Sequence, residues 1–198
     1  MAETFYRFCC AVARPFFAIF HPAKVEGLEN IPDEGACILC ANHCSNIDPF
    51  YLALHIRKRY LHFMAKIELF KFPPLAAFMR GLMAFPVDRG HNDLNAVRTA
   101  LKLLSDGHVL GVFPQGTRSR DNSRLPFLNG ISMIALRAKK PVIPVYIDGP
   151  YHLFGITAVR IGQPVDLSDF ARMDGETLSA ATKRIEDAVW SLKQDTTP

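Results

Sequence analysis

The sequence predicts an α/β fold: one domain with a mixed, mostly parallel sheet flanked by helices, preceded by an amino-terminal helix suited to a membrane interface. Three observations predict it. From residue 35 onward, short apolar runs of strand length alternate with segments of helical length and pattern, the arrangement that buries a parallel sheet on both faces. Polar clusters leave the ends of three of those runs, at His43, Arg89 and residues 114–120. Nearly half of the 198 residues are hydrophobic (49%) and only 21% are charged, so a sizeable core is available and disorder is excluded.

The chain divides into an amino-terminal helix, residues 1–22, and a globular domain, residues 23–198. Residues 5–20, FYRFCCAVARPFFAIF, are apolar on nearly every side. A spanning helix needs about 20 apolar residues, and here Arg7, Arg14 and Pro15 interrupt the run. A signal peptide would carry its charges ahead of the apolar core and end in small residues. Arg7 and Arg14, nearly two turns apart, share one narrow stripe of a helix. This pattern fits a helix lying in a membrane interface, basic heads on phosphates and phenylalanines in the acyl boundary; the alternative is a first helix packed on the core. The net charge of +4 suits a phosphate or an anionic lipid surface but is too small and too evenly spread for nucleic acid.

ENIPDEG is a turn before the first clear strand, about 35–41. A helix follows over 47–57, then a strand at 61–66, LHFMAK. PPLAAFMRG forms a short helix starting at its prolines, and LMAFPVDRG a strand that exits at Asp88 and Arg89. Leu94, Val97, Leu101 and Leu104 repeat at helical spacing, with Asn92 as the expected cap and Gly107 as the stop. HVLGVF is the next strand, FLNGISMIALRAKK a helix, PVIPVYID and TAVRIGQPV strands, and GETLSAATKRIEDAVWSLKQ the closing helix.

The five cysteines, an odd number with no secretory signal, suggest free thiols. Cys37 and Cys40 have the spacing of half a zinc site. On a strand, however, positions three apart point to opposite faces, and no second ligand pair follows. Small buried hydrophobes are the better reading.

If the strands are parallel, the three polar clusters gather at one rim. Asp48, in the first turn of its helix, can point back at His43. It would then fix the imidazole tautomer and stabilise the imidazolium, leaving the other nitrogen as a general base. For an isolated His-x4-Asp pair the alternative is a helix cap beside a surface histidine. There is no Gly-x-Ser-x-Gly elbow, Walker A sequence or Gly-x-Gly-x-x-Gly, so the base is expected to act directly on a substrate hydroxyl. In FPQGTRSR, Gly116 lets backbone approach a ligand, Thr117 and Ser119 offer hydroxyls, and Arg118 offers a forked cation. With Arg89 these residues fit a phosphate; the alternative for either arginine is a solvated surface charge.

At this point NHCSNIDP resembles the NHx4D motif of the glycerolipid acyltransferases. FPVDRG, FPQGTRS and VIPV resemble their second, third and fourth blocks, in the same order, and the likeness covers residues 24–150. The resemblance implies that residues 23–198 are an acyltransferase domain. His43 would be the base and Asp48 its partner. Arg89, Arg118 and Lys66 would bind the glycerol phosphate, Gly116 and Thr117 would shape the loop, and Val142 to Val145 would line the acyl or acceptor site. It further implies 1-acyl-sn-glycerol 3-phosphate (lysophosphatidic acid) as acceptor, phosphatidic acid as product, and an acyl thioester of acyl carrier protein or coenzyme A as donor. No metal or bound cofactor is expected, and the protein would sit, as a peripheral or monotopic protein, on the anionic cytoplasmic face of the cell membrane. Glycerol 3-phosphate or another lyso-lipid as acceptor, and a silent lipid-binding relative, are the alternatives. The family's Glu in the third block is Gln115 here, which keeps length and hydrogen bonding but loses the charge, and the family's pre-helical Lys-Gly reads Asn129-Gly130.

Overall fold

A computed structural model of the chain describes residues 2–88 and 93–194. Six α-helices and seven strands alternate along it: α1 (Ala2–Phe20), β1 (Ala23–Glu26), β2 (Cys37–Ala41), α2 (Asp48–His55), β3 (Leu61–Lys66), α3 (Pro73–Gly81), β4 (Ala84–Val87), α4 (Leu94–Ser105), β5 (Val109–Val112), α5 (Gly130–Ala138), β6 (Val142–Ile147), β7 (Thr157–Ile161) and α6 (Gly175–Trp190). The strands form one sheet in the order β1-β7-β6-β2-β5-β3-β4. Neighbours are parallel except β6 and β7, so β6, β2, β5, β3 and β4 point one way. Their carboxyl ends share a rim, as the alternating pattern predicts.

Two apolar layers sandwich the sheet. One face carries Ile38, Cys40, Leu110, Val142 and Tyr146 under α4, α5 and α6. The other carries Cys37, Leu39, Val109, Ile143 and Val145 under α2, with Phe17 of α1 at its margin. Cys37 and Cys40 thus lie on opposite faces, as strand geometry requires, and all five cysteines are free. Burial drives the Cys37 thiol up to about 11 and Cys40 higher still. Among the described residues no group of three or more His, Cys, Asp or Glu could hold a metal ion.

Two elements, β1 and α4, differ from the sequence reading. Strand β1 was not expected: it is four residues long and half polar, and it exists because Ala23–Glu26 ladders onto β7. The cap of α4 is Asp93, whose side chain accepts from the amides of Asn95 and Ala96; Asn92 lies outside the described residues. The buried face of α4 is Ala96, Ala100 and Leu104, while Leu94 is 57% exposed, because small alanines let the helix come closer to the sheet than leucines would. Inside central β6, the carbonyl of Pro144 points toward β7 and accepts from Gly162 N at 2.9 Å. Its missing N–H therefore faces β7 too, just beyond the last ladder residue, Ile161.

Candidate active site

Strand β2 runs directly into the site. Asn42, fully buried, ties the end of β2 to β6. Its amide nitrogen donates to Asn122 Oδ1 (2.7 Å) and Ile147 O (2.9 Å), and its oxygen accepts from Ile147 N (2.7 Å). Asn122, left-handed with φ 55°, donates to Tyr146 OH and to the carbonyls of Ile147 and Gly149. With the buried amides satisfied in this way, the rim is a fixed frame for the next residue, His43.

His43 is held from every side. Its Nδ1 lies 2.6 Å from Asp48 Oδ2. Its backbone N–H donates to Gln115 Oε1 at 2.5 Å, and its carbonyl accepts from Ser119 N at 2.9 Å. Phe113 stacks on the ring at 4.4 Å between centroids, and Phe63 stacks on Phe113 at 5.8 Å. Gly111 makes that stack possible, because a Cβ there would meet the Phe63 ring at 2.2 Å. Nε2 makes no protein hydrogen bond among the described residues.

Asp48 is wholly buried in the first turn of α2 and is encircled by donors. Oδ2 accepts from His43 and from the amides of Cys44 (2.8 Å) and Ser45 (2.9 Å). Oδ1 accepts from Tyr151 OH (2.7 Å) and Cys44 Sγ (3.5 Å). The N-terminal turn of α2 adds a favourable field for the carboxylate. Burial, and then the Asp48 charge, push the Tyr151 hydroxyl and the Cys44 thiol far up. Cys44, next to the histidine in sequence, therefore stays a protonated donor to Asp48 rather than a thiolate nucleophile.

The 114–119 loop closes over this pair. Gly116 has φ 68°, a left-handed turn that a side chain would strain, and a Cβ there would meet Leu128 at 2.8 Å. Gln115 is buried, its oxygen on His43 N and its Nε2 without a partner. Thr117 and Arg118 are exposed, immediately before the Ser119 amide that bonds His43. Ser119 Oγ in turn donates to Asp121, whose carboxyl is held down to about 2 by the Ser119 and Ser123 hydrogen bonds. Lys66 ends β3 at the same rim, exposed and 3.2 Å from Glu68. Arg89 lies outside the described residues. Val142 to Val145 do not line a cleft: they are buried in β6, with Val142 packed on one face of the sheet and Ile143 and Val145 on the other. Tyr151, Asn42 and Asn122 were missed by sequence reasoning. Only Asn42, beside the histidine, had a local signal; the other two reach the site from about 80 to 100 residues away.

Comparison with known proteins gives the same family by independent routes. The family model described as Acyltransferase matches residues 22–148. The chain is 31% identical over 194 residues to the 1-acyl-sn-glycerol-3-phosphate acyltransferase of Bacillus subtilis, covering 95% of this chain and 96% of that one. It is 30% identical to the Streptococcus pneumoniae protein of the same name, covering 88% of this chain and 67% of that one. The crystal structure of the 1-acyl-sn-glycerophosphate acyltransferase PlsC from Thermotoga maritima superposes with a TM-score of 0.74 at 30% identity, over all of this chain and 81% of that one. A histidine locked to a buried aspartate, on a sheet and sequence shared with these proteins, places the chain in the 1-acyl-sn-glycerol-3-phosphate acyltransferase family.

Proposed function

We propose that the protein transfers an acyl group from a thioester to the sn-2 hydroxyl of 1-acyl-sn-glycerol 3-phosphate, forming phosphatidic acid. The observation that carries this reading is the 2.6 Å contact between His43 Nδ1 and a carboxylate with no access to solvent. Asp48 accepts only, so Nδ1 keeps its proton and Nε2 keeps its lone pair. Nε2 takes the proton of the glycerol hydroxyl as that oxygen attacks the thioester carbonyl. The tetrahedral intermediate collapses, the C–S bond breaks, and the departing thiolate takes the proton from the imidazolium. No acyl-enzyme is needed. Arg118, with Lys66 and Arg89, grips the acceptor phosphate, and Gly116 and Thr117 shape the loop that presents Arg118. Gln115 supports the site by accepting from the His43 amide, a task glutamine performs as well as glutamate. The donor is the thioester of acyl carrier protein or coenzyme A.

The surface reading concerns α1. Phe8, Val12, Phe16 and Ile19 expose more than half of their area along one stripe, and exposed Phe154 lies beside the end of α1, its ring 5.4 Å from that of Phe20. Among the described residues no helix is long and apolar enough to cross a membrane. A stripe of this kind fits peripheral attachment to a membrane, which we place at the anionic cytoplasmic face. The arginines do not flank it. Arg7 and Arg14 lie on the opposite side of α1, turned toward the loop before β3.

The test is transfer from acyl-CoA and acyl-ACP to lysophosphatidic acid. His43→Ala should abolish transfer while the chain remains folded; retained activity refutes the base. Arg118→Ala should weaken use of the phosphorylated acceptor and spare a phosphate-free analogue. Equal loss on both refutes the phosphate role.

A further inference from the structure

Between α1 and the segment leading into β3 lies a cavity of about 260 Å³. It is well removed from the candidate active site. It sits at the far end of α2 from Asp48, about 12 Å along the helix axis at 1.5 Å per residue, beside the amino end of β3. Five cations line it, Arg7 and Arg14 from α1 and Arg57, Lys58 and Arg59 from the loop, with no carboxylate among the lining residues.

Three of the five are committed elsewhere. Lys58 pairs with Asp33 at 2.8 Å, Arg59 donates to the carbonyls of Pro32, Gly35 and Gly107, and Arg7 donates to the Tyr60 hydroxyl and lies over its ring. Among the described residues Arg14 and Arg57 have no acidic partner, and Arg14 Nε is buried without a hydrogen bond. The hydroxyl of Tyr6, a residue only 5% exposed, lines the same cavity and also lacks a partner. Both charges also bear on His55 at the end of α2, which burial, with contributions from Arg57 and Arg14, holds below the ordinary imidazole range. Like charges facing each other across a helix contact repel, and unpaired buried donors cost about 1–3 kcal/mol each. One group resolves both: a compact anion with several acceptor oxygens.

We propose that this cavity is a phosphate-binding site, distinct from the acceptor site at the catalytic rim, whose occupant bridges α1 to residues 57–60. Two guanidinium forks and a tyrosine hydroxyl match the oxygens of a phosphate ester or free phosphate better than they match a lone carboxylate. The bound group pins the helix that carries the exposed apolar stripe, so occupancy and the seating of α1 are linked. The phosphate comes either from an anionic lipid headgroup or from solution.

Titration calorimetry of the full chain with inorganic phosphate, at ionic strength held constant with chloride, is compared with flotation on phosphatidylglycerol and phosphatidylcholine vesicles. The variants are Arg14→Gln/Arg57→Gln and, as a control at the other site, Arg118→Ala. A component of phosphate binding weakened about tenfold or more in the double variant, and retained in Arg118→Ala, which removes only the acceptor-site component, supports the site with a soluble occupant. Phosphatidylglycerol selectivity lost in the double variant, without phosphate binding in the wild type, supports a headgroup occupant. Absence of both responses, or responses indifferent to the double variant, overturns the proposal. Should the double variant fail to fold, Arg57→Gln alone, exposed and unpaired, must show the same direction of change. Because the readout is binding, failure of the acyl-transfer reading leaves this test intact.

Discussion

Replacing Asp48 by asparagine separates the charge of the carboxylate from its geometry. The asparagine oxygen, placed where Oδ2 lies, still accepts from His43 Nδ1, Cys44 N and Ser45 N. The new amide nitrogen, at the Oδ1 position, meets Tyr151 OH, which can turn from donor to acceptor at 2.7 Å. Tautomer and ring orientation are therefore kept, and only the Cys44 thiol contact is lost. What disappears is the negative charge beside an imidazole that becomes cationic as it takes the proton. At an effective dielectric of about 20 and a charge separation of about 4 Å, that interaction is about 4 kcal/mol, and a transition state with about half of the proton transferred carries about half of it. The expected loss is about 2–4 kcal/mol, a fall of roughly 30- to 1000-fold in kcat. Steady-state transfer to lysophosphatidic acid, with circular dichroism as the check on folding, measures it. A folded Asp48→Asn protein within about threefold of wild-type kcat would show that the carboxylate acts through geometry alone, and the imidazolium argument would fail. Asp48→Ala, which strands five donors, should instead lose the fold around the site.

Other outcomes follow from neighbouring features. Gln115→Leu leaves the buried His43 amide without an acceptor and should cost about 1–3 kcal/mol of stability in urea unfolding, whereas Gln115→Glu keeps that acceptor and should stay within about tenfold of wild-type activity. His62 is half-buried against His108, its ring 4.7 Å away, and desolvation first, then His108, pull its pKa down to about 4. The unfolded chain therefore binds more protons than the folded one between about pH 4 and 6.5, and stability falls as pH drops through that window. The His62 contribution at pH 5, discounted for the part of the ring still in water, is about 1 kcal/mol of destabilisation relative to pH 7.5, and a His62→Phe protein should lose that slope. For the membrane reading, Phe8→Glu/Phe16→Glu changes only exposed positions and should release the chain from anionic vesicles. Removing all of α1 is a poorer test, because Tyr6 and Phe17 belong to the packed interior.

The order of apolar runs, their alternation with helical segments, and the polar clusters after β2 and β5 are properties of neighbouring residues, so the sequence alone determined the fold class, the shared rim and the His43–Asp48 pair. Strand alternation likewise separated Cys37 from Cys40. Contacts between distant segments obey no such local rule. That Tyr151 completes the Asp48 cage, that Asn122 reaches Asn42, and that Phe63 lies across Gly111 to back the imidazole depend on how β6, β5 and β3 pack. So does the direction in which α1 turns its arginines: periodicity put them on one stripe, but only packing against residues 57–60 decided that the stripe faces inward. Side-chain periodicity is fixed by backbone geometry, whereas the partner across an interface is chosen by the whole chain's burial and charge balance.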